Sequence, residues 1–321
     1  MPPFLITIGL TTYNAANSVG KAIQSALSQT LGPIEIVVVD DASTDETPKI
    51  LEQLAEKYKE IRFFTNKENS GVAISRNRIL KEAQGEFVVF FDDDDESLPQ
   101  RIAEQYQRIV SYEKKFANGA PVICHTARRV IYPNNKELIE PTMGVIKDKQ
   151  APFGPAVAER ILLGTPLEDG YGSCATCSQM ARLSTYRLLD GFDPSLRRGE
   201  DTDFNIRLAL AGGHFVGIEK PLVVQAMTKT SDKSLRDEYY YWRLILEKHR
   251  SIMESKGQFE FSIAWLDMKQ SWLERKRLTF VLNLLKLFMK NPLLTLRRLY
   301  LALPNIGLNN QFSRFHFSKT E

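Results

Sequence analysis

Cysteines and long apolar runs are scarce in this sequence, and each scarcity argues against a class of protein. Three cysteines among 321 residues are too few for the disulfide framework of a secreted domain, and they suit a reducing compartment. The apolar run at residues 278–289 is shorter than the about 20 residues that a membrane-spanning helix needs. The opening Met1-Pro2-Pro3 lacks the basic segment of a secretory signal. We therefore expect a cytoplasmic location.

Acidic residues are missing from the last part of the chain, because residues 275–320 contain no Asp or Glu. Residues 236–321 hold 15 Lys+Arg and 8 Asp+Glu, whereas residues 1–235 hold 27 and 31. This asymmetry predicts two regions, an acidic first part and a basic extension after residue 235.

Strand-forming and helix-forming patterns alternate four times in the first part. Apolar runs typical of buried strands lie at residues 4–10, 34–39, 61–64 and 86–91, with helical spacing of apolar residues between them. Short connections between such units predict an α/β fold with a doubly wound, mostly parallel sheet. Ligands of such sheets bind at the carboxyl ends of the strands.

The fourth strand ends in a run of carboxylates, DDDDE at residues 92–96. Adjacent carboxylates repel one another unless a cation or strong hydrogen-bond donors lie among them. Oxygen ligands of this kind suit Mg²⁺ or Mn²⁺, so we favour a divalent-cation site. The alternative is a solvated loop. In either case we expect Ser97 to cap a helix that begins at Pro99.

Five motifs, in order along the chain, resemble those of the family-2 glycosyltransferases. They are LTTYN (10–14), VVDDASTD (38–45), NSG (69–71) with RN (76–77), FDDDD (91–95), and RLLDGFD (187–193) with GEDTDF (199–204). The resemblance covers about residues 4–226. It implies the GT-A fold, a mixed and mostly parallel sheet flanked by helices, here with a C-terminal α-helical extension.

The resemblance also implies an activity. Family members move a sugar, with inversion, from a nucleotide diphosphate sugar to a hydroxyl, and uridine is the commonest nucleotide. Lipid-linked or glycan acceptors in cell-surface polysaccharide synthesis are typical. Residues 1–235 would form the catalytic domain, with a nucleotide-binding half (1–120) and an acceptor half (121–235), and residues 236–321 the basic helical region.

Several residues acquire roles from this resemblance. The Tyr13 ring offers a face to a nucleobase, and Asp41 can accept a hydrogen bond from a base N–H. The alternatives are a core aromatic for Tyr13, a helix cap for Asp41 and a surface salt bridge for Arg76. The residues implied for the nucleotide sugar are Thr11, Tyr13, Asp41, Arg76, Asp92 and Asp93.

Asp94 is the implied ligand of the cofactor, Mn²⁺ or Mg²⁺. Four consecutive aspartates allow the register of the family's Asp-x-Asp motif to shift by one. Many family members also have a metal-contacting His in the region that corresponds to residues 227–233, where this chain has none. Lys229 or Lys233 is a candidate to balance the diphosphate there. Cys174 and Cys177 form a lone C-x₂-C pair, which we interpret as structural thiols.

Asp201 is the candidate general base. It would take a proton from the acceptor hydroxyl while that oxygen attacks the anomeric carbon from the face opposite the leaving group. Glu200 and Asp203 are expected to support the acceptor side. The alternative is that all three are charges that stabilise the start of a helix.

The basic extension predicts two amphipathic helices divided at Asn291-Pro292. We expect residues 275–303 to lie on an anionic membrane surface, which would make the protein peripheral at the inner face. The alternative is a helical hairpin packed on the catalytic domain or on a second subunit, so a homo-oligomer stays open. Nucleic-acid binding is not expected, because interleaved recognition signals are lacking.

Two rival functions remain open at this point. A receiver-like signalling domain would explain a strand that ends in Asp40-Asp41, but it gives no use to the run at residues 92–95. A catalytically inactive scaffold would bind a nucleotide sugar without releasing the nucleotide from it.

Overall fold

The computed structural model describes residues 4–132, 134–227 and 234–303, which form two compact units. The larger unit holds the described residues up to 158 and residues 167–227, and the smaller unit holds residues 159–166 and 234–303. Lys229 and Lys233 lie outside the described residues.

Nine strands of the described residues form one mixed sheet in the larger unit. Their order is β3-β2-β1-β4-β8-β6-β9-β5, with β7 paired to β6. Strands β1 to β4 are parallel, β8 is antiparallel to both of its neighbours, and β9 runs parallel to β6. This arrangement confirms the predicted sheet. The strands are β1 (Phe4–Thr12), β2 (Ile34–Asp40), β3 (Ile61–Thr65), β4 (Gly85–Asp92), β5 (Asp95–Ser97), β6 (Val122–Ile131), β7 (Glu137–Glu140), β8 (Gln179–Arg182) and β9 (His214–Ala226).

Helices flank this sheet and make up the smaller unit. Helix α1 shows why they form, since its apolar side chains recur at helical spacing and four of them are buried. The helices that begin in the larger unit are α1 (Val19–Leu27), α2 (Thr47–Lys57), α3 (Val72–Glu82), α4 (Arg101–Tyr112), α5 (Pro155–Leu163), α6 (Leu183–Leu188) and α7 (Glu200–Leu210). Those that follow are α8 (Leu235–Lys248), α9 (Arg250–Glu254), α10 (Phe259–Leu273), α11 (Arg277–Lys290) and α12 (Pro292–Ala302).

The predicted helix cap at Ser97 is wrong. Ser97 lies in the short strand β5, opposite Val223 of β9, and α4 begins four residues later at Arg101. The Ser97 hydroxyl accepts a hydrogen bond from the buried Arg101 guanidinium, at 2.7 Å. Pairing with a strand more than 120 residues away overrode the local capping signal.

A buried carboxylate connects several strands at the end of the sheet that lies away from the acidic motifs. Glu35 accepts hydrogen bonds from the Thr7 hydroxyl (2.5 Å) and from the backbone N–H of Gln84 (2.6 Å), and it pairs with Arg62 (2.6 Å). Its side chain is 1% exposed. This carboxylate therefore connects β1, β2, β3 and the start of β4.

Replacing Glu35 with Ala should lower the free energy of unfolding by about 3 kcal/mol, because it leaves buried donors and a cation without their partner. Urea denaturation measures this loss. Glu56→Ala, at an exposed position on α2, is the matched control and should change stability by less than about 0.5 kcal/mol. Equal stability of the two variants would contradict the structural role of Glu35.

The smaller unit has its own apolar contacts. Phe261 and Met268 of α10 pack with Leu287 of α11, and the Arg298 guanidinium of α12 lies over the Trp265 ring and donates to the Leu162 carbonyl. Pro292 opens α12, as the sequence predicts. None of the helices in the described part of the chain is both long and apolar enough to cross a membrane.

Candidate functional site

The predicted donor-side residues meet at one edge of the sheet. Thr11 lies opposite Val39 of β2 on one side and Asp92 of β4 on the other, so the carboxyl ends of three parallel strands are adjacent. Asp41 follows β2 directly. The structure therefore brings together residues that are up to 81 positions apart in the chain.

Tyr13 extends from the end of β1 and is not a core aromatic, since 43% of it is exposed. Its backbone N–H donates to the Asp93 carboxylate at 3.1 Å. The next residue, Asn14, adopts a left-handed conformation, and its backbone N–H donates to the Ser43 hydroxyl. These contacts connect the loop after β1 to the acidic run after β4 and to the loop after β2, while the Tyr13 side chain stays exposed.

Asp41 is buried and anchors the turn before α3. Its carboxylate accepts hydrogen bonds from the Asn66 side-chain amide (2.7 Å) and from the backbone N–H groups of Ser70 (3.1 Å) and Gly71 (2.8 Å). Gly71 has φ of 93°, which favours glycine. Asp41 therefore does not cap α2, the helix that follows it in sequence. Its contact with a nucleobase stays a prediction.

Arg76 is buried rather than part of a surface salt bridge. One terminal nitrogen lies 3.2 Å from an Asp92 carboxylate oxygen, and the other pairs with Glu200. The guanidinium also lies over the rings of Phe90 and Phe192. Burial lowers the pKa of Arg76, but the nearby carboxylates outweigh this effect and raise it.

The acidic run has more negative charge than its surroundings balance. Burial raises the pKa of Asp93 to about 7, and repulsion from Asp94 and Asp92 adds to this. Asp95 is only 4% exposed, and the described residues give its carboxylate oxygens no well-formed hydrogen bond, although the Arg128 guanidinium and the Cys177 thiol offset part of its charge. Burial, with repulsion from Asp92 and Asp94, also raises the pKa of Asp95. A divalent cation is the kind of ligand that would relieve this repulsion.

The possible ligand atoms of the acidic run suit a metal ion that prefers oxygen. One carboxylate oxygen each from Asp92 and Asp95 and the Cys177 sulfur lie within 4.8 Å of one another. Burial raises the pKa of the Cys177 thiol, and an Arg128 nitrogen lies 3.7 Å from its sulfur. The effect of burial outweighs the opposing charge of Arg128 and disfavours a thiolate, so the carboxylates are the better candidates to hold the ion. Mg²⁺ and Mn²⁺ suit such ligands.

The candidate base lies in the first turn of α7. Asp201 is half-buried, and one of its carboxylate oxygens accepts from the Thr202 backbone N–H at 2.6 Å. Burial raises the pKa of Glu200 to about 7, although Arg76 opposes this effect. The two residues are thus at a helix start, as the alternative requires, and Glu200 also contacts the donor-side residues through Arg76.

Asp203 has a different surrounding from its neighbours. It is fully buried and pairs with the Arg207 guanidinium at 2.8 Å. Arg207 in turn donates to the carbonyls of Leu189 (2.6 Å) and Gly191 (2.8 Å). Asp203 therefore stabilises the turn after α6 through Arg207, and its support of the acceptor side stays a prediction.

Two residues of this region were not predicted from the sequence. Arg128 donates to Gln225 (2.5 Å) and Ser173 (3.0 Å) and pairs with Glu140, which holds the segment before β8 in place. Asp95 was expected as part of the acidic run, but the sequence did not indicate that its side chain is buried. Because the partners of Arg128 are far away in sequence, no local sequence pattern could have predicted these contacts.

Comparison with known proteins gives the family. The family model described as "Glycosyl transferase family 2" matches residues 7–181. EpsE of Bacillus subtilis, provisionally assigned as a glycosyltransferase, is 30% identical over 241 residues, 74% of this chain and 77% of EpsE.

Other relatives match over shorter stretches. A cholesterol galactosyltransferase of Borreliella burgdorferi is 33% identical over 38% of this chain, and the match spans only 32% of that protein. WfaP of Escherichia coli, named as a UDP-Glc:alpha-D-GlcNAc-diphosphoundecaprenol beta-1,3-glucosyltransferase, is 38% identical over 32% of this chain and 39% of its own length.

Solved structures share the fold. S. aureus TarS 1–349 in complex with UDP-GlcNAc has a TM-score of 0.61 at 18% identity, covering 88% of this chain and 80% of that one. The mannosyltransferase PcManGT of Pyrobaculum calidifontis, in complex with GDP-Man and Mn²⁺, has a TM-score of 0.59 at 16% identity, covering 98% and 84%. With the motifs at the sheet edge and the family match over more than half of its length, the chain belongs to glycosyl transferase family 2.

Proposed function

We propose that this protein is an inverting, metal-dependent glycosyltransferase that uses a UDP-sugar as donor. Its acceptor would be a hydroxyl of a glycan or of a lipid-linked sugar in cell-surface polysaccharide synthesis. The observation that supports this proposal most directly concerns the buried guanidinium of Arg76. It pairs with Asp92 at the acidic end of a strand and with Glu200 at the acidic start of a helix. This shared contact supports the proposal that the donor-side and acceptor-side motifs form one site.

The residues present suggest how the reaction would proceed. Tyr13 and Asp41 would hold the nucleoside, with Thr11, Asp92 and Asp93 around the donor. Bound at Asp94 and its neighbours, the cation would neutralise the diphosphate. Asp201 would take the proton of the acceptor hydroxyl as its oxygen forms a bond to the anomeric carbon. The bond from that carbon to the diphosphate oxygen breaks, and the nucleotide leaves with the electron pair.

The relatives' names support the donor and acceptor classes. TarS binds UDP-GlcNAc and PcManGT binds GDP-Man with Mn²⁺ in their solved structures. The name of WfaP states a UDP-glucose donor and a lipid-diphosphate acceptor. We extend these properties to the present chain as part of the proposal.

The rival functions receive less support from the site. A receiver-like domain needs an accessible phosphoacceptor, but Asp40 is fully buried and Asp41 is nearly so. Asp40 also accepts hydrogen bonds from the backbone and the hydroxyl of Ser43. A scaffold without turnover would share the fold and the nucleotide site, so only release of UDP from a UDP-sugar separates it from an enzyme.

A thermal-shift screen of UDP, GDP, dTDP and CDP, each with and without Mn²⁺, tests the donor site. UDP with Mn²⁺ should raise the melting temperature by several degrees, because a ligand at 100 times its Kd adds about 2.7 kcal/mol to stability. Asp94→Ala should lose the Mn²⁺-dependent part of the shift. Asp148→Ala, at an exposed position outside the site, is the control and should keep it. No shift with any nucleotide would contradict the proposal.

We also propose that the smaller unit binds an anionic membrane surface from the cytoplasmic side. One face of α11 and α12 leaves apolar side chains exposed, including Met289 at 77% and Leu293 at 82%. We name this set the apolar stripe; it consists of Leu278, Leu282, Leu285, Met289, Leu293, Leu296 and Tyr300.

Charge favours lipid as the occupant of this face. Lys286, Lys290 and Arg297 are exposed beside the stripe, and residues 275–303 carry no acidic side chain. At an anionic membrane, the apolar side chains can insert at the acyl boundary while the basic side chains contact the lipid headgroups. The opposite side of α11 packs on α10 through Leu287, so within residues 234–303 the apolar stripe is the side of α11 that stays exposed.

A further inference from the structure

The environment of Arg76 differs from that of a residue which contacts a nucleotide directly. Its side chain is 6% exposed, and its guanidinium lies 5.8 Å from the Phe90 ring centre and 5.6 Å from that of Phe192. Both terminal nitrogens are occupied, one by Asp92 and the other by Glu200. The remaining nitrogen, Nε, is buried and has no partner among the described residues. Each terminal nitrogen keeps a second N–H, but the 6% exposure of the side chain leaves little of the guanidinium open to a ligand.

The two partners of Arg76 belong to the donor side and the acceptor side of the proposed site. Asp92 ends β4, where the donor would bind, and Glu200 directly precedes the candidate base Asp201. Asp201 is also close enough to raise the pKa of the guanidinium. One buried cation thus balances carboxylates from both sides, and its fork shape sets the separation of Asp92 and Glu200.

The neighbouring residue holds the same region by a separate contact. The Asn77 side-chain amide donates to the Phe192 carbonyl (2.7 Å) and accepts from the Phe192 backbone N–H (2.8 Å). Gly191 has φ of 68°, and a Cβ there would lie 2.3 Å from the Asn77 oxygen. The approach is therefore close enough to exclude a side chain. Two consecutive residues of α3 fasten the segment that leads into α7.

We infer that Arg76 is a positioning residue that orients Asp201 through Glu200 and does not itself bind the nucleotide. This inference rests on the proposed function, in which Asp201 is the base. It replaces the nucleotide-sugar role that the family resemblance implies for Arg76. Loss of the guanidinium would leave Glu200 buried without its counter-charge, so the first turn of α7 would no longer be held at its distance from Asp92.

The test separates turnover from nucleotide affinity. Calorimetry gives the Kd of UDP with Mn²⁺, and UDP release gives kcat and KM for whichever of UDP-glucose, UDP-galactose and UDP-GlcNAc stabilises the protein most. Arg76→Met should lower kcat about 100-fold and leave the Kd of UDP within about threefold. Arg76→Lys keeps the charge but not the fork, and it should recover about tenfold of the lost kcat. Lys81→Met removes an exposed cation from the same helix and should change neither value.

A double-mutant cycle adds a readout that simple destabilisation would not produce. Glu200→Gln should also lower kcat, and adding it to Arg76→Met should cost less than the product of the two single effects, because both act through one contact. If Arg76→Met does not fold, Arg76→Lys and Glu200→Gln still give the kcat and Kd comparison. Weaker UDP binding by more than about 30-fold with kcat nearly unchanged would overturn the inference. Absence of UDP release by the wild type, despite UDP binding, would overturn the proposed function instead.

Discussion

Asp201→Asn is expected to lower UDP release by about 10²–10⁴-fold while the Kd of UDP with Mn²⁺ stays within about threefold. The range is that of a general base removed from its reaction. Asn has the size of Asp, and its amide oxygen can still accept from the Thr202 N–H, so the start of α7 should be retained. Only the capacity to accept a proton is lost.

The matched control for this variant is Asp190→Asn. Asp190 is exposed, lies in the turn before α7 and has φ of 55°, a left-handed conformation that Asn adopts as readily as Asp. It should keep wild-type turnover. An equal loss of turnover and of UDP affinity in Asp201→Asn would show that Asp201 belongs to the donor site rather than to the acceptor.

A double substitution in the apolar stripe, Leu285→Glu with Leu293→Glu, should release the protein from anionic vesicles. Each leucine contributes about 1.5–3 kcal/mol when its side chain leaves water, and each nearby basic residue about 1 kcal/mol at an anionic surface. Wild-type protein should therefore float with vesicles that contain phosphatidylglycerol and not with pure phosphatidylcholine. The variant should bind at least tenfold more weakly, and high salt should weaken the wild type as well.

The control for the stripe is Tyr240→Glu, which adds a charge at an exposed aromatic position on α8 of the same unit. It should bind vesicles as the wild type does. Light scattering on the same variants tests the other occupant: a wild-type dimer that becomes a monomer in the double variant would assign the stripe to a second subunit. Unchanged flotation of the double variant would contradict the membrane proposal.

Much of the sheet could be predicted because its strands carry a local signal. Runs such as the one at residues 86–91 have no polar alternation, and strands that are buried on both faces require this. The ends of these strands place the acidic motifs, so the meeting of Thr11, Asp41 and Asp92 followed from the fold alone.

What could not be predicted depends on pairs that are distant in sequence. The sequence around Ser97 is typical of a helix cap, but Ser97 pairs with β9 and lies in a strand. Arg76 gives no sign in the sequence of Glu200, its partner 124 positions away. A buried arginine and an exposed one look alike until tertiary contacts decide which carboxylates face it. The sequence therefore predicts where the site lies, but not which charged residues pair within it.

The anchoring of the acceptor half by two adjacent residues of α3 has a consequence for how such enzymes diversify. Arg76 fixes Glu200, and Asn77 fixes the backbone at Phe192, so the entry to α7 is held by the donor half. Residues 141–175, upstream of these anchors, include little regular structure beyond α5. If the proposed function holds, insertions or exchanges in that stretch would change which acceptor is accommodated without moving Asp201 relative to Asp92. On that proposal, the acceptor could vary among related chains while the reacting groups stay in the same place.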